Sequence, residues 1–248
     1  MATKERIDKL MVQRQLAGSR ERARALILAG RVVVNDQTVD KVGTQVDVAA
    51  SVRLRGEDIP YVSRGGMKLA KALENFDIDV AGRNAIDVGA STGGFTDCLL
   101  QNGAVRVVAV DVGYGQLAWK LRDDDRVVNL ERTNIRHLTS EQLDFIPDLA
   151  VIDASFISLE KVLPPTLTLM SSGSDIVALI KPQFEVGKGQ VGKGGVVRDP
   201  QQHTQVVDKI KDVAEQLGCQ VVAVCESPIL GPKGNREFLI HLRMETIS

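Results

Sequence analysis

The stretch 85–100, AIDVGASTGGFTDCLL, constrains the fold more than any other: a short apolar run enters a glycine-rich turn and leaves as a helix whose Phe95, Cys98 and Leu99 share one face. Strand, glycine turn and helix in that order make the opening unit of a doubly wound sheet. The rest of the chain repeats the theme. Further apolar runs at 105–111, 127–130, 149–153, 176–181, 220–225 and 237–244 alternate with helical segments, which predicts a seven-stranded, mostly parallel, Rossmann-like α/β sheet covered on both faces. The clearest helix carries Val206, Ile210, Val213 and Leu217 as a single apolar stripe.

The segment ahead of this sheet has a different composition. Residues 1–55 hold 11 Lys/Arg against 6 Asp/Glu, whereas the remainder holds 20 against 26, so a net charge of −1 conceals a basic module on an acidic body. A first helix with Ile7, Leu10 and Met11 on one face is expected, then a second opened by Ser19 as N-cap and closed by Gly30. In the second, Ala23, Leu26 and Ile27 form the buried face. Short strands follow at 31–34, 38–39 and 52–54, with Asn35 and Asp36 as the turn. GEDIP at 56–60 reads as a linker, dividing the chain into a small α/β domain at 1–58 and a larger one at 59–248.

Several function classes drop out on composition. No apolar run approaches the roughly 18 residues of a membrane span, and the charged start MATKERIDKL is unlike a secretory leader, so a cytoplasmic protein with no membrane partner is expected. Cys98, Cys219 and Cys225 are too few and irregular for a disulfide framework. His137, His203 and His241 lack metal-ligand spacing, and no metal is expected.

The stretch RIDKLMVQRQLAGSRERARALILAGRVVVNDQTV resembles the RNA-binding domain named after ribosomal small-subunit protein S-four. The resemblance implies that basic residues of its two helices, Arg6, Arg20, Arg22 and Arg24, lie against RNA backbone.

In doubly wound sheets ligands bind beyond the carboxyl ends of the strands, where Gly89, Gly93 and Gly94 allow close approach and Ala90, Ser91 and Phe95 complete the turn. A dinucleotide fingerprint is Gly-x-Gly-x-x-Gly. This turn is Gly-x-x-x-Gly-Gly with Asp87 two residues before it, similar to that of S-adenosylmethionine-dependent methyltransferases. Asp111, 22 residues beyond Gly89, stands where an acid accepts hydrogen bonds from ribose hydroxyls. S-adenosyl-L-methionine is therefore the expected cofactor, with Asn134 and Ile135 beside the adenine as in similar enzymes. A competing phosphate loop at Gly187, Gly192 and Lys193 fails because Gly194 replaces the magnesium-binding hydroxyl and no strand runs into a helix there.

Lys68, Asp153, Lys181 and Glu237 resemble the Lys-Asp-Lys-Glu tetrad of FtsJ-like ribose 2′-O-methyltransferases, three of them at strand ends where packing does not explain a charge. A ribose hydroxyl is a weak nucleophile, so methyl transfer to it needs a base and in-line alignment. Desolvation and a neighbouring cation bring a lysine amine into a useful range, and Lys181 is assigned as base, with Lys68 as the neighbouring charge and Asp153 and Glu237 as orienting groups. Together with VIDASFISL and LIKPQFEVGKGQVGKGGVVRD, these motifs resemble the hemolysin A-type rRNA methyltransferases, the TlyA family, over nearly the whole chain. What the resemblance implies is 2′-O-methylation of cytidine in ribosomal RNA, on ribosomal subunits, by a monomer or weak dimer. The extent of the chain leans toward the family's shorter form, which acts on large-subunit RNA. Membrane-active hemolysin and non-catalytic RNA-binding ribosome factor are the alternative readings.

A target base inside a helix keeps its ribose hydroxyl away from a recessed methyl donor, so the nucleotide is expected to turn out and stack on an aromatic face. Of nine aromatic residues, Tyr114 lies just beyond the second strand and Phe156 just beyond the fourth, whereas Phe95, Phe145 and Phe238 read as core. Arg64, Arg132, Arg136 and Lys188 would hold the flanking backbone. The alternative is that both rings pack under loops.

Overall fold

The computed structural model describes residues 3–55, 59–187 and 189–245. Contacts between residues divide the chain into two compact units, 1–58 and 59–248.

The first unit contains β1 (Lys4–Arg6), α1 (Ile7–Gln13), α2 (Arg20–Leu28), β2 (Val32–Val34), β3 (Gln37–Val39), β4 (Gln45–Asp47) and β5 (Val52–Leu54). Its core is the face shared by Ile7, Leu10 and Met11 with Ala23, Leu26 and Ile27, closed by Val32 and Val34. Ser19 caps α2 by accepting from the Arg22 amide at 3.1 Å, and Gly30 follows the helix with φ +65°. Asn35 and Asp36 both take positive φ, the conformation of a two-residue turn between antiparallel strands, here β2 and β3. The antiparallel pair β1 and β4 has no counterpart in the apolar pattern, because three-residue strands reading KER and QVD carry no periodicity.

The second unit begins with α3 (Gly65–Phe76) and continues as β6 (Asn84–Val88), α4 (Gly94–Gln101), β7 (Arg106–Val110), α5 (Trp119–Arg122), β8 (Val127–Leu130), β9 (Leu149–Ile152), α6 (Leu159–Leu167), β10 (Asp175–Ile180), α7 (Pro182–Glu185), α8 (Pro200–Gln216), β11 (Cys219–Glu226) and β12 (Phe238–Met244). The seven strands lie in the order β11-β12-β10-β9-β6-β7-β8, and only β12 runs against its neighbours. Alternate residues supply separate cores on the two faces: Ile86, Val108, Ala150 and Ile176 on one, and Ala85, Val107, Leu149 and Val177 on the other. A sheet buried on both faces explains why its strands read as continuous apolar runs.

The stripe assigned to α8 is out of phase at its end. His203, Val206, Val207, Ile210 and Ala214 are the buried residues, whereas Val213 is half-buried and Leu217, at the C-cap, is exposed. Ala214 continues the 203, 207, 210 progression and is fully buried. Phe145 and Phe238 are half-buried rather than core. Among the described residues, no helix is long and apolar enough to cross a membrane.

Strand register brings the polar strand ends together. Val88 lies opposite Val110 on one side and Ile152 on the other, so Gly89, Asp111 and Asp153, each one residue further, share one edge of the sheet. Ile180 lies opposite Phe238, and because β12 is antiparallel its first residues meet the carboxyl end of β10. Lys181 and Glu237 therefore reach that same edge from opposite chain directions.

Candidate active site

A cavity of about 380 Å³ opens at this edge, and all four tetrad residues line it together with Arg64, Gly89, Ala90, Ser91, Gly94 and Phe95. Lys68 arrives from α3 and pairs with Glu237 at 2.6 Å, both side chains being buried. Lys181 pairs with Asp153 Oδ1 at 2.5 Å and also donates to Ser155 Oγ at 2.8 Å and to the Asp153 carbonyl at 3.3 Å. Two charge pairs thus face one cavity, each lysine held by a carboxylate from a different element. Among the described residues Glu237 leaves its second oxygen without a hydrogen-bond partner, and a side chain at Gly231 would collide with it. The loop before β12 closes around the pair.

The glycine turn is shaped for close approach. Gly89 adopts φ +88°, and a Cβ there would stand 2.9 Å from the Asp153 carbonyl. Gly93 takes φ +95° as N-cap of α4, where a Cβ would strike Leu121, and one at Gly94 would strike Ser63. Asp111 accepts from the amides of Ser91 at 2.7 Å and Gly113 at 2.6 Å, so its carboxylate fastens the turn after β6 to the loop after β7. These two loops form a backbone cradle at the carboxyl edge, with a carboxylate beside it and N–H groups of a helix start within it. The donor set fits a nucleoside-bearing cofactor.

Other sequence-predicted residues are placed differently. Asp87 is fully buried, with Oδ2 accepting from the Thr96 amide at 2.9 Å and from its hydroxyl at 2.6 Å. It anchors α4 to β6 rather than lining the cavity. Burial pushes its carboxyl up to about 7, with the Asp153 charge adding to the rise and the Thr96 bonds opposing it. Asn134 caps the short helical turn Ile135–His137 by accepting from the Arg136 amide, and Ile135 is buried in the core with Ile86, Val108 and Ala150, leaving only its backbone for a ligand. Arg64 and Arg136 are exposed, and Arg132 lays its guanidinium 4.0 Å from the centre of the Tyr114 ring. Tyr114 itself is 68% exposed and Phe156 is 91% exposed, so neither ring packs under a loop. Lys188 lies outside the described residues.

In the first unit, Arg6 and Arg20 both bind the buried Asp8 carboxylate, Arg6 at 2.9 and 3.0 Å and Arg20 at 2.9 Å, which holds the Asp8 carboxyl far below the usual carboxylate range. Both arginine side chains remain partly exposed. Arg24 is exposed and Arg22 half-buried.

Ser63, Thr92, Ser155 and the loop residues Ile229 and Leu230 also line the cavity, and sequence spacing singled out none of them. Ser155 had a usable cue, standing two residues beyond a strand-end carboxylate. Ile229 and Leu230 had none, because the loop between β11 and β12 reaches the cavity only through the reversed direction of β12.

The family model described as FtsJ-like methyltransferase matches residues 61–244, and the S4 domain model matches residues 5–52. Over 247 residues the chain is 52% identical to a Mycobacterium tuberculosis protein named 16S/23S rRNA (cytidine-2′-O)-methyltransferase TlyA, covering 99% of this chain and 92% of that one. Hemolysin A of Brachyspira hyodysenteriae is 40% identical over 237 residues, 95% of this chain and 98% of its own. A solved structure of a protein named as a hemolysin, from Streptococcus thermophilus, matches with a TM-score of 0.78 and 45% identity over 100% of this chain and 90% of that one.

Proposed function

The chain belongs to the FtsJ-like methyltransferase family and carries an S4 domain ahead of the catalytic unit, and from this we propose that it methylates the ribose 2′-hydroxyl of cytidine in ribosomal RNA. The observation that carries the reading is the pair of lysine–carboxylate contacts facing one cavity beside a glycine cradle. The name of the mycobacterial relative covers both 16S and 23S RNA, and nothing in the fold favours the large-subunit RNA alone. Ribosomal RNA, free or in subunits, is the proposed partner.

Gly89, Ala90, Ser91, Gly93, Gly94 and Phe95 would hold S-adenosylmethionine against the sheet edge, with Asp111 at its ribose and Asn134 toward its adenine. When bound, the cofactor supplies an electrophilic methyl group. Lys181 takes the proton that leaves the ribose oxygen as that oxygen forms its bond to carbon. Asp153 and Ser155 fix the direction of the Lys181 amine. Lys68, with its charge offset by Glu237, steadies the oxygen as it becomes negative. Phe156 and Tyr114 receive the extruded nucleotide, and Arg64, Arg132, Arg136 and Lys188 hold its flanking phosphates.

Mapping ribose methylation in 16S and 23S RNA from a deletion strain, complemented with wild type or with Lys181→Ala, tests the assignment. A cytidine that is 2′-O-methylated only with wild type is expected. The purified variant should bind S-adenosylmethionine as wild type does while losing single-turnover transfer, because a base acts chiefly in the transition state. Normal methylation by Lys181→Ala would remove that residue from the mechanism.

A further inference from the structure

Phe156 is disfavoured twice over. Its backbone sits at φ +64°, a region that bulky L-residues avoid, and its ring is 91% exposed to water. Such a conformation persists only where the surroundings over-determine it. The surroundings here come from one five-residue segment, 181–185. Lys181 donates to Ser155 Oγ on the N-terminal side of the turn at 2.8 Å. On the C-terminal side the buried Glu185 accepts from Ser158 Oγ at 2.6 Å and from the Leu159 amide at 2.8 Å. Phe184 meets the Phe156 ring at a tilt of 49° with centroids 5.1 Å apart. The tetrad lysine and the exposed ring are therefore set by the same short piece of chain.

We propose that Glu185 is a positioning residue for methyl transfer, holding the 155–159 turn so that the Phe156 ring presents an extruded nucleotide to Lys181. This rests on the reading that Phe156 receives the target base. Ser158 is also the N-cap of α6, accepting from the Glu160 amide at 3.2 Å, so one carboxylate sets both the helix start and the turn that precedes it. Glu185 stands inside the LIKPQFE segment, yet its role has no cue in spacing, because its partners lie 26 and 27 residues earlier.

The test is a double-mutant cycle between Glu185→Ala and Phe156→Ala, read by single-turnover transfer at saturating S-adenosylmethionine on an rRNA fragment carrying the mapped cytidine. A parallel fragment with pyrrolocytidine at that position reports unstacking. Glu185→Ala is expected to slow transfer by about tenfold to a hundredfold, the scale of a misplaced reactant, to brighten the analogue less than wild type, and to keep cofactor affinity within about twofold. Glu185→Gln retains an acceptor for the Leu159 amide and a donor for Ser158, and should recover most of the rate. The double variant should be no slower than Phe156→Ala alone, since one residue acts through the other. Multiplying losses, or wild-type transfer by Glu185→Ala, would overturn the proposal. Wild-type transfer by Phe156→Ala would instead overturn the stacking reading beneath it. Should Glu185→Ala fail to fold, Ser158→Ala removes the hydroxyl's contacts to Glu185 and to the Glu160 amide and carries the same cycle.

Discussion

Asp87 shows how far a single buried carboxyl reaches beyond a motif match. It was legible as part of the glycine-turn signature, but only the structure shows that its oxygen is spent on Thr96 and that its carboxyl is pushed up to about 7. Below about pH 4 both the folded and the unfolded chain hold this proton. Between about 4 and 7 the folded state keeps it while the unfolded chain has lost it, so folding takes up a proton and stability falls as pH rises, by about 1.4 kcal/mol for each tenfold difference in proton affinity. Above about 7 the loss is complete. Asp87→Asn, which keeps an acceptor for Thr96, removes this linkage. Urea melts from pH 5 to 8 should show the wild type losing stability relative to Asp87→Asn up to about pH 7, with a flat difference beyond; parallel curves would assign the linkage elsewhere. Asp153, Lys181 and Glu237 were legible for a related reason, since a charge at the end of an apolar strand is conspicuous. Ser155 and Glu185 were not, because their importance lies in which turn they grip.

At the scale of elements, the unit β6–turn–α4 was read almost to the residue, and its glycines make distinct commitments. Gly82 and Gly89 both have positive φ, at +78° and +88°, but a Cβ at Gly82 meets nothing within 4 Å whereas one at Gly89 meets the Asp153 carbonyl at 2.9 Å. Gly82→Ala should therefore cost backbone strain alone, about 1 kcal/mol. Gly89→Ala carries that strain, displaces the strand end that bears Asp153, and places a methyl group at the proposed cofactor cradle. Thermal melts should lower both variants, but calorimetric S-adenosylmethionine affinity should fall only in Gly89→Ala; equal affinity in the two would separate the cradle from the ligand. Elements escaped the sequence where periodicity was too short to register, as in β1 and β4, or where a small residue took the buried position, as Ala214 does in α8. The mostly parallel, doubly wound sheet was legible as a class, while the reversed β12 that delivers Glu237 was not.

At the scale of the whole molecule, each unit owns its core: Ile7, Met11 and Ile27 centre the first, and the second is built on both faces of its sheet. Charge is divided along the same line, with residues 1–58 carrying 11 Lys/Arg against 8 Asp/Glu. Independent cores mean that residues 59–248 should fold alone and bind S-adenosylmethionine as tightly as the full chain. The lost unit should show in the RNA. Each phosphate neutralised by Lys or Arg releases counterions, so the logarithm of affinity falls with the logarithm of salt, by about 0.7 per contact on single strands. Arg6 and Arg20 are held at fixed positions by Asp8 with part of each side chain exposed, an arrangement that readies two such contacts without ordering long side chains at the moment of binding. Titrating labelled rRNA fragment against both proteins over a range of potassium chloride should give weaker binding and a shallower slope for 59–248. Arg6→Ala with Arg20→Ala in the full chain should recover part of that change. Equal slopes for the full and truncated chains would mean that the basic unit touches no phosphate, and the acidic body alone would then have to gather a polyanion against its own charge.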